Sequence, residues 1–207
     1  MSDIAMKDAF LDMVEKVAPV SAGFRKDFFE KTKVIHLKKN DVLVEYGSSP
    51  QRGFFIVSGS FKSALLTDYG SFKTVWFFFD ELFPVIPVAD NMIQGGPTSY
   101  RITAMEDSVV IEMRNKYLQS WNQEYPEFGR FSRMDMIKDF VKMDEIRAHL
   151  IGYSKEDFVR FLYKKYPVLL RRTPGNTVAD FMGITPEWYS KIRKKIILEH
   201  NFSTRRS

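Results

Sequence analysis

Residues 176–195 have the sequence NTVADFMGITPEWYSKIRKK, which predicts two short helices joined by a tight turn. Gly183 can end the first helix, because a residue without Cβ enters the left-handed conformation at little cost. Thr185 suits the N-cap of the second helix. Pro186 suits its first helical position, where a missing N–H costs nothing. This arrangement is typical of a helix-turn-helix.

The second predicted helix has one apolar side and one polar side. Tyr189, Ile192 and Ile196 recur at helical spacing and predict the buried side. The other side is rich in basic residues, and the second helix of a helix-turn-helix can lie in the major groove of DNA. The residues predicted to contact DNA are Thr185, Pro186, Glu187, Trp188, Ser190, Lys191, Arg193, Lys194 and Lys195. The alternative is an ordinary two-helix corner with a solvated basic face.

The net charge of +5 is unevenly distributed along the 207 residues. The part from Arg160 onward carries eleven Lys and Arg against three Asp and Glu, whereas the first 159 residues carry 20 basic and 23 acidic residues. A basic C-terminal quarter on a mildly acidic body predicts that the C-terminal part contacts a polyanion. Because these basic residues lie beside the predicted helix-turn-helix, we expect double-stranded DNA as the partner.

Composition and motifs exclude several classes of protein. The chain contains no Cys, which excludes disulfides, Cys-based zinc sites and iron–sulfur clusters. His36, His149 and His200 are scattered, and the sequence has no Ser/His/Asp set and no phosphate-binding loop, so we expect no metal, no cofactor and no enzyme. No apolar run approaches the ~18–20 residues that cross a bilayer, and the N-terminus is amphipathic and partly acidic. We therefore expect a cytoplasmic protein without membrane contact.

The apolar pattern changes after the two predicted N-terminal helices, at residues 4–17 and 21–31. Short β-rich runs follow at residues 34–37, 42–46, 54–57, 61–66, 72–79, 100–104 and 109–113, separated by Gly, Pro, Asn, Asp and Ser. Many short strands at this spacing predict a small barrel or a double-sheet roll. The predicted class is therefore α+β, with an N-terminal, jelly-roll-like, double-stranded β-roll and a helical C-terminal part.

Two segments resemble a known family. Residues 53–62, GFFIVSGSFK, are similar to the strand–Gly–strand hairpin of CRP/FNR transcription regulators, and residues 102–108, ITAMEDS, to the last strands of their cyclic-nucleotide-binding-type roll. The helix-turn-helix follows in the family's order, so the resemblance covers nearly the whole chain. Family members usually follow the recognition helix with a two-stranded wing, and here only about a dozen residues follow. The resemblance therefore implies a truncated wing.

The resemblance implies three parts joined in series. These are a sensory β-roll with its N-terminal helices at residues 1–124, a dimerisation helix at 125–152, and a helix-turn-helix DNA-binding domain at 153–207. In the long helix, Phe128, Phe131, Met134, Ile137 and Val141 recur every three or four residues. In the family the corresponding helix is the dimer seam, so we expect a homodimer. The alternative is a helix folded onto its own roll.

Family members that bind a cyclic nucleotide hold its phosphate with a Gly-Glu-Leu turn and an Arg. The resemblance places Asp80, Glu81 and Leu82 near that turn and Thr98 at the position of the Arg, with Ser99 beside it. A bound phosphate needs a paired charge or free backbone donors in a confined site. Thr98 supplies no charge, and the two carboxylates add repulsion, so we expect a degenerate pocket and no binding of cyclic AMP.

Other residues leave alternatives open for an effector. Arg52 and Lys73 are possible replacements for the missing phosphate contact. Phe77, Phe78, Phe79 and Phe83 either line a site for an apolar ligand or form part of the core. The effector is thus an unknown small molecule, or the roll binds none.

The leading hypothesis is a homodimeric, DNA-binding transcription regulator of the CRP/FNR type, for which the family also raises RNA polymerase as a partner. The alternative is an effector-sensing or interaction module that kept the architecture and lost DNA binding. The short C-terminus favours the alternative, although Arg205 and Arg206 could contact phosphate as a tail. Arg171 and Arg172, just before the helix-turn-helix, are further candidates for phosphate contacts.

Overall fold

The computed structural model describes residues 2–88 and 95–204, with side chains described to residue 199. Its helices are α1 Asp3–Glu15, α2 Ala22–Lys31, α3 Asn115–Glu124, α4 Pro126–Gly152, α5 Lys155–Lys165, α6 Pro167–Arg172, α7 Gly175–Met182 and α8 Pro186–Thr204. Its strands are β1 Lys33–Leu37, β2 Val42–Val44, β3 Arg52–Ser58, β4 Ser60–Leu66, β5 Phe72–Phe79, β6 Val85–Ile86, β7 Tyr100–Ala104 and β8 Ser108–Arg114. The predicted α+β class, with a β-roll followed by helices, is confirmed.

The strands form two four-stranded sheets with the orders β1–β8–β3–β6 and β2–β7–β4–β5. All their pairings are antiparallel, and the turn at Gly59 carries the chain from β3 in one sheet to β4 in the other. Apolar side chains from both sheets fill the space between them, among them Phe54, Phe61, Ile86, Ile102 and Val110. Strand β6 was not predicted, because two residues between Pro84 and Pro87 are too short for a periodic pattern.

The N-terminal helices and α3 cover the outer face of the first sheet. Phe55 of β3 and Ile111 of β8 pack there against Phe10 of α1, Phe24 of α2 and Trp121 of α3. The Ser21 hydroxyl caps α2 by accepting the Phe24 N–H at 3.1 Å, as its sequence position predicts. Helix α3 was not predicted from the sequence, and its Trp121 is fully buried in this cluster.

The residues of α4 that were predicted to form a dimer seam lie partly in the core and partly on the exposed surface. Phe128 and Phe131 are buried in the cluster that α1, α2 and α3 form with the roll. Met134, Ile137 and Val141 are 41%, 60% and 60% exposed. The first turns of α4 therefore fold onto the chain's own roll, as the alternative predicted, and its central turns remain uncovered.

The roll-facing side of the central turns carries charged groups. Lys142 lies with its Nζ 5.5 Å from the ring centre of Phe83 and pairs with Asp139 at 3.0 Å. Burial, together with the nearby Asp139 carboxylate, raises the pKa of Asp135 to about 6. Asp135, Asp139 and Lys142 thus lie on the side of α4 away from Ile137.

The C-terminal helices pack directly on the roll. Phe77 and Phe79 of β5 belong to one core with Phe158 of α5 and Phe181 of α7, and the rings of Phe77 and Phe181 are 5.1 Å apart. Phe83 belongs to the same core, and Phe78 also contacts the roll interior. Of the two alternatives for this Phe-rich segment, the core role is therefore correct.

Candidate nucleic-acid interface and its attachment to the roll

Helices α7 and α8 form the predicted helix-turn-helix. Gly183 ends α7 in the left-handed conformation, with φ of 67°, and its N–H bonds the Asp180 carbonyl at 3.0 Å. The Thr185 hydroxyl then accepts the Trp188 N–H at 3.2 Å and caps α8. Pro186 occupies the first helical position. The local signals in the sequence were sufficient here because each acts within four residues of the turn.

One side of α8 anchors it to the rest of the domain. Tyr189, Ile192 and Ile196 are each no more than 5% exposed and pack in the core that includes Val178 and Ala179 of α7. Ala179 is fully buried, and its small side chain allows the two helices to approach closely. The position of α8 is therefore fixed by apolar packing along its length.

The opposite side of α8 is exposed. All nine residues predicted to contact DNA belong to this exposed set: Thr185, Pro186, Glu187, Trp188, Ser190, Lys191, Arg193, Lys194 and Lys195. Lys195 pairs with Glu156 of α5 at 2.6 Å. Lys191, Arg193 and Lys194 form no ion pair with any residue in the described part of the chain. Three cations on this surface are thus available to an external anion.

Helical geometry places three charged residues in one row on α8. Glu187, Lys191 and Lys194 are spaced four and three residues apart, so they lie on the same face, opposite Tyr189 and Ile196. A carboxylate can accept from the cytosine amino group, and Lys can donate to the acceptors of guanine. Trp188, 51% exposed, lies beside this row. The arrangement can present both an acceptor and donors to the edges of bases.

The five residues predicted for the effector pocket do not lie together. Asp80, Glu81 and Leu82 form the turn after β5, where the Gly59 N–H donates to the Asp80 carboxylate at 3.2 Å. Thr98 lies two residues before β7, and its carbonyl accepts the Gly47 N–H at 2.9 Å. Strand β4 runs between these two places, so they are separated by roughly 20 Å. The predicted pocket is wrong because a three-residue match placed the turn in the wrong part of the roll.

Each of these residues has another environment. Thr98 is 1% exposed, Ser99 lies at the surface, and Leu82 belongs to the core shared with the C-terminal helices. Residues 89–94, which connect the two places, lie outside the described part of the chain. Arg52 and Lys73, the alternative phosphate contacts, are bound to Glu112 and Asp180 respectively.

Asp80 and Glu81 face the C-terminal helices, where they meet Arg172 at the end of α6. The Arg172 guanidinium pairs with Asp80, with Glu81 at 3.1 Å and with Glu106 at 2.6 Å. Burial alone lowers the pKa of Arg172, but the hydrogen bonds that its guanidinium donates to Asp80 and Glu106 outweigh burial and raise the pKa above its ordinary value. Arg172 is therefore a permanent cation that joins α6 to the roll.

A second polar contact joins α7 to β5. Strand β5 is the edge of its sheet, and its Thr74 N–H donates to the Asp180 carboxylate at 2.7 Å. Lys73 donates to the carbonyl of the same Asp180. Asp180 thus satisfies a backbone donor that an exposed edge strand would leave free, and this contact fixes the first helix of the helix-turn-helix against the roll.

Replacing Arg172 by Met should lower the free energy of unfolding by about 2 kcal/mol, because it leaves carboxylates that are only partly solvated without their counter-charge. The Arg171→Met variant is the matched control. Arg171 is exposed and, among the described residues, pairs only with Glu81, at 3.2 Å, so its loss should cost less than about 0.5 kcal/mol. Urea unfolding of both variants checks this, and equal losses would show that the Arg172 cluster has no special role.

The comparisons with known proteins agree with this architecture. Residues 34–125 match the family of cyclic nucleotide-binding domains. The matched residues run from β1 to the start of α4 and so contain nearly the whole β-roll. Among curated proteins, none matches the sequence significantly.

Several solved structures have a similar fold over most of the chain. CLP, a c-di-GMP responsive global regulator from Xanthomonas campestris, has a TM-score of 0.66 at 15% identity, over 87% of this chain and 93% of that one. FixK2 from Bradyrhizobium japonicum has a TM-score of 0.65 at 13% identity, over 82% and 86%. A CRP-family transcriptional regulator from Thermus thermophilus has a TM-score of 0.60 at 15% identity, over 80% and 85%.

The chain therefore has the fold of the CRP/FNR regulators, and several of the proteins it resembles are global or transcriptional regulators. At these identities the likeness establishes the fold, so contacts to DNA have to be argued from the residues of α8. None of the helices in residues 2–88 and 95–204 combines the length and apolar character needed to cross a bilayer.

The sequence alone did not identify Arg172, Asp80 and Glu106 as the residues that attach the roll to the C-terminal helices. Arg171 and Arg172 are candidate phosphate contacts by their position before the helix-turn-helix. The partners of Arg172 could not be predicted from the neighbouring sequence, because Asp80 and Glu106 are 92 and 66 residues away from it. Arg172 is held by the roll and is not available to DNA.

Proposed function

We propose that this protein is a homodimeric, sequence-specific DNA-binding transcription regulator that acts in the cytoplasm. The observation that carries the proposal is the exposed row Glu187, Lys191 and Lys194 on a helix whose other side is buried. A recognition helix needs this combination of a fixed position and free polar side chains. The basic C-terminal quarter supplies the favourable electrostatics with the phosphate backbone.

The proposed dimer forms through the central turns of α4. Ile137, Phe140 and Val141 are 60%, 68% and 60% exposed, and Met136 lies beside them. A contiguous apolar surface on a helix is costly in water, and burial against the same surface of a second copy removes that cost. Two copies would present two α8 helices to half-sites about one helical turn, ~34 Å, apart.

The effector, if one acts on the roll, is proposed to differ from cyclic AMP. Thr98 is buried and carries no charge, and Asp80 is bound by Arg172, so neither is suited to a cyclic phosphate. A bound phosphate needs a paired charge or free backbone donors, and Thr98 supplies no charge. RNA polymerase is proposed as a further partner if the protein activates transcription.

A second candidate function is an effector-sensing or interaction module without DNA binding. The observation in its favour is that α8 continues as helix to Thr204, over residues where CRP/FNR proteins usually form a wing. This candidate predicts that replacing charged residues of α8 does not change the affinity for DNA in a sequence-dependent way.

Two substitutions on α8 distinguish these candidates. Glu187 lies in the first turn, where residues of a recognition helix meet base edges. Glu187→Ala should cost roughly 1–3 kcal/mol on the preferred site, relax specificity at one position of each half-site and leave the salt dependence nearly unchanged. Lys194 lies two turns further along and should contact phosphate. Lys194→Ala should weaken binding to all sequences alike and reduce the slope of log affinity against log salt by about 1.

Fluorescence anisotropy titrations on preferred and scrambled duplexes at several salt concentrations measure both effects. Lys16→Ala is the control, because Lys16 is exposed at the end of α1. Equal effects of Glu187→Ala and Lys194→Ala on both duplexes would show that α8 does not contact bases.

A further inference from the structure

A basic cavity lies where β3 and α3 begin, away from α8 and from the exposed surface of α4. Its volume is about 550 Å³, and its wall includes Arg52, Arg114 and Lys116 together with the amides of Gln51 and Gln119. Three cations and two amide side chains around one cavity form a set of donors without a carboxylate in the wall. Such a set is suited to an anion.

Two of the three cations, Arg114 and Lys116, are not compensated by an ion pair within the described residues. Arg52 and Arg114 are directly opposite each other in the β3–β8 ladder, and like charges at opposed positions destabilise a sheet. Arg114 and Lys116 have no ion pair with any residue in the described ranges, although the Lys116 ammonium lies 4.8 Å from the ring centre of Tyr117. An anion between these side chains would remove the repulsion.

Arg52 is held in place with one nitrogen left over. Its Nη1 donates to Glu112 at 2.6 Å and its Nε to the Pro50 carbonyl at 2.7 Å. No acceptor for Nη2 is found among the described residues. The Glu112 side chain is only 10% exposed, so this ion pair fixes the guanidinium while Nη2 remains free to donate.

A second cavity adjoins the first and has a different character. It has a volume of about 450 Å³ and shares Pro50 and Arg52 with the basic cavity. It lies between β1 and β2, the edge strands of the two sheets, and its apolar wall is formed by Ile35, Leu37, Val42, Val44 and Phe54. Two carboxylates also reach it, and both are neutralised, Glu112 by Arg52 and Glu45 by Arg101 at 2.7 Å.

We propose that the two cavities together bind an anionic amphiphile, a small molecule with a carboxylate or phosphate head and an apolar chain. The head lies between Arg114, Lys116 and the free Nη2 of Arg52, and the chain lies in the groove between β1 and β2. Charge complementarity determines the head, and the apolar wall determines the chain. The site does not depend on DNA binding, so its test is independent of the test of the function proposed above.

Calorimetric titration of the full chain with octanoate, decanoate and decyl phosphate, each below its micellar concentration, tests the proposal. Two further buried methylenes should make decanoate bind roughly tenfold more tightly than octanoate. Decanoate and decyl phosphate have the same chain, so the one that binds more tightly shows whether the site prefers a carboxylate or a phosphate head. Decanol, which has the chain without the charge, and inorganic phosphate, which has the charge without the chain, should each bind at least tenfold more weakly than the amphiphile.

Arg114→Glu is the decisive variant because it should fold normally. It places a carboxylate opposite Arg52 in the ladder, which favours the folded state, yet it removes the anion site. We expect at least a tenfold loss of decanoate and decyl phosphate affinity, with no loss for Lys16→Glu, an exposed residue that lines neither cavity. Val42→Asp, at a half-exposed position of the groove, should remove the gain from octanoate to decanoate.

Four results would overturn the proposal. The first three are the absence of binding by both ten-carbon anions at millimolar concentration, equal affinities of the wild type and Arg114→Glu, and equal affinities for octanoate and decanoate. Inorganic phosphate bound as tightly as decyl phosphate would also overturn it, since the groove would then contribute nothing.

Discussion

Replacing Gly59 by Ala is expected to lower the free energy of unfolding by about 4 kcal/mol or more. Gly59 joins the two sheets with φ of 112°, a conformation that residues with a side chain rarely adopt. An added Cβ would lie 2.1 Å from the Ser108 hydroxyl oxygen and 2.8 Å from the Ser108 Cα. Since Ser108 begins the buried strand β8, the clash cannot be relieved without moving backbone.

Gly70→Ala is the matched control for this prediction. Gly70 also has a positive φ, 75°, but apart from Gly70 itself and its two chain neighbours no described residue has an atom within 4 Å of the position of its Cβ. Its replacement should therefore cost only about 1 kcal/mol of conformational strain. Urea unfolding monitored by tryptophan fluorescence gives both values. Losses of the same size in the two variants would mean that β3 and β4 do not meet β8 as described.

Substituting Asp for both Ile137 and Phe140 is expected to convert the proposed dimer into a monomer. Two carboxylates would have to be desolvated in the centre of an apolar seam, which costs several kcal/mol. Both residues are at least 60% exposed in the single chain, so the protomer itself should keep its fold. Loss of the second recognition helix should then weaken binding to a two-half-site duplex at least ~10²-fold, because the two helices no longer bind as one unit.

Sedimentation velocity at micromolar concentration and duplex titration measure these two effects. Tyr69→Asp is the control, because it also puts a carboxylate in place of an exposed apolar side chain, here 96% exposed between β4 and β5. A monomeric wild type, or a double variant that remains dimeric, would contradict the seam on α4.

The helix-turn-helix was predictable because its determinants are local. Gly183, Thr185 and Pro186 act through backbone conformation and hydrogen bonds within one turn, and the apolar period of Tyr189, Ile192 and Ile196 follows from helix geometry alone. The strands of the roll other than β6 were predictable for a similar reason, since alternation and turn residues are visible within each of those segments.

The contacts between distant segments were not predictable in this way. Phe128 and Ile137 look alike in sequence, yet one packs under α1 and α3 while the other is exposed, because the roll covers only the first turns of α4. Asp80 resembled part of a phosphate-binding turn, and Arg172 resembled a phosphate contact. In the folded chain the two bind each other across 92 residues.

The measurement that tests the central claim most directly is selection of bound sequences from a pool of random duplex DNA by the full-length protein. We predict enrichment of a two-fold symmetric motif whose half-sites lie about 10 base pairs apart. With Glu187→Ala, the base preference at one position of each half-site should be lost. Recovery of DNA without any enriched motif would contradict sequence-specific recognition by α8 and would favour an interaction module that does not bind operators.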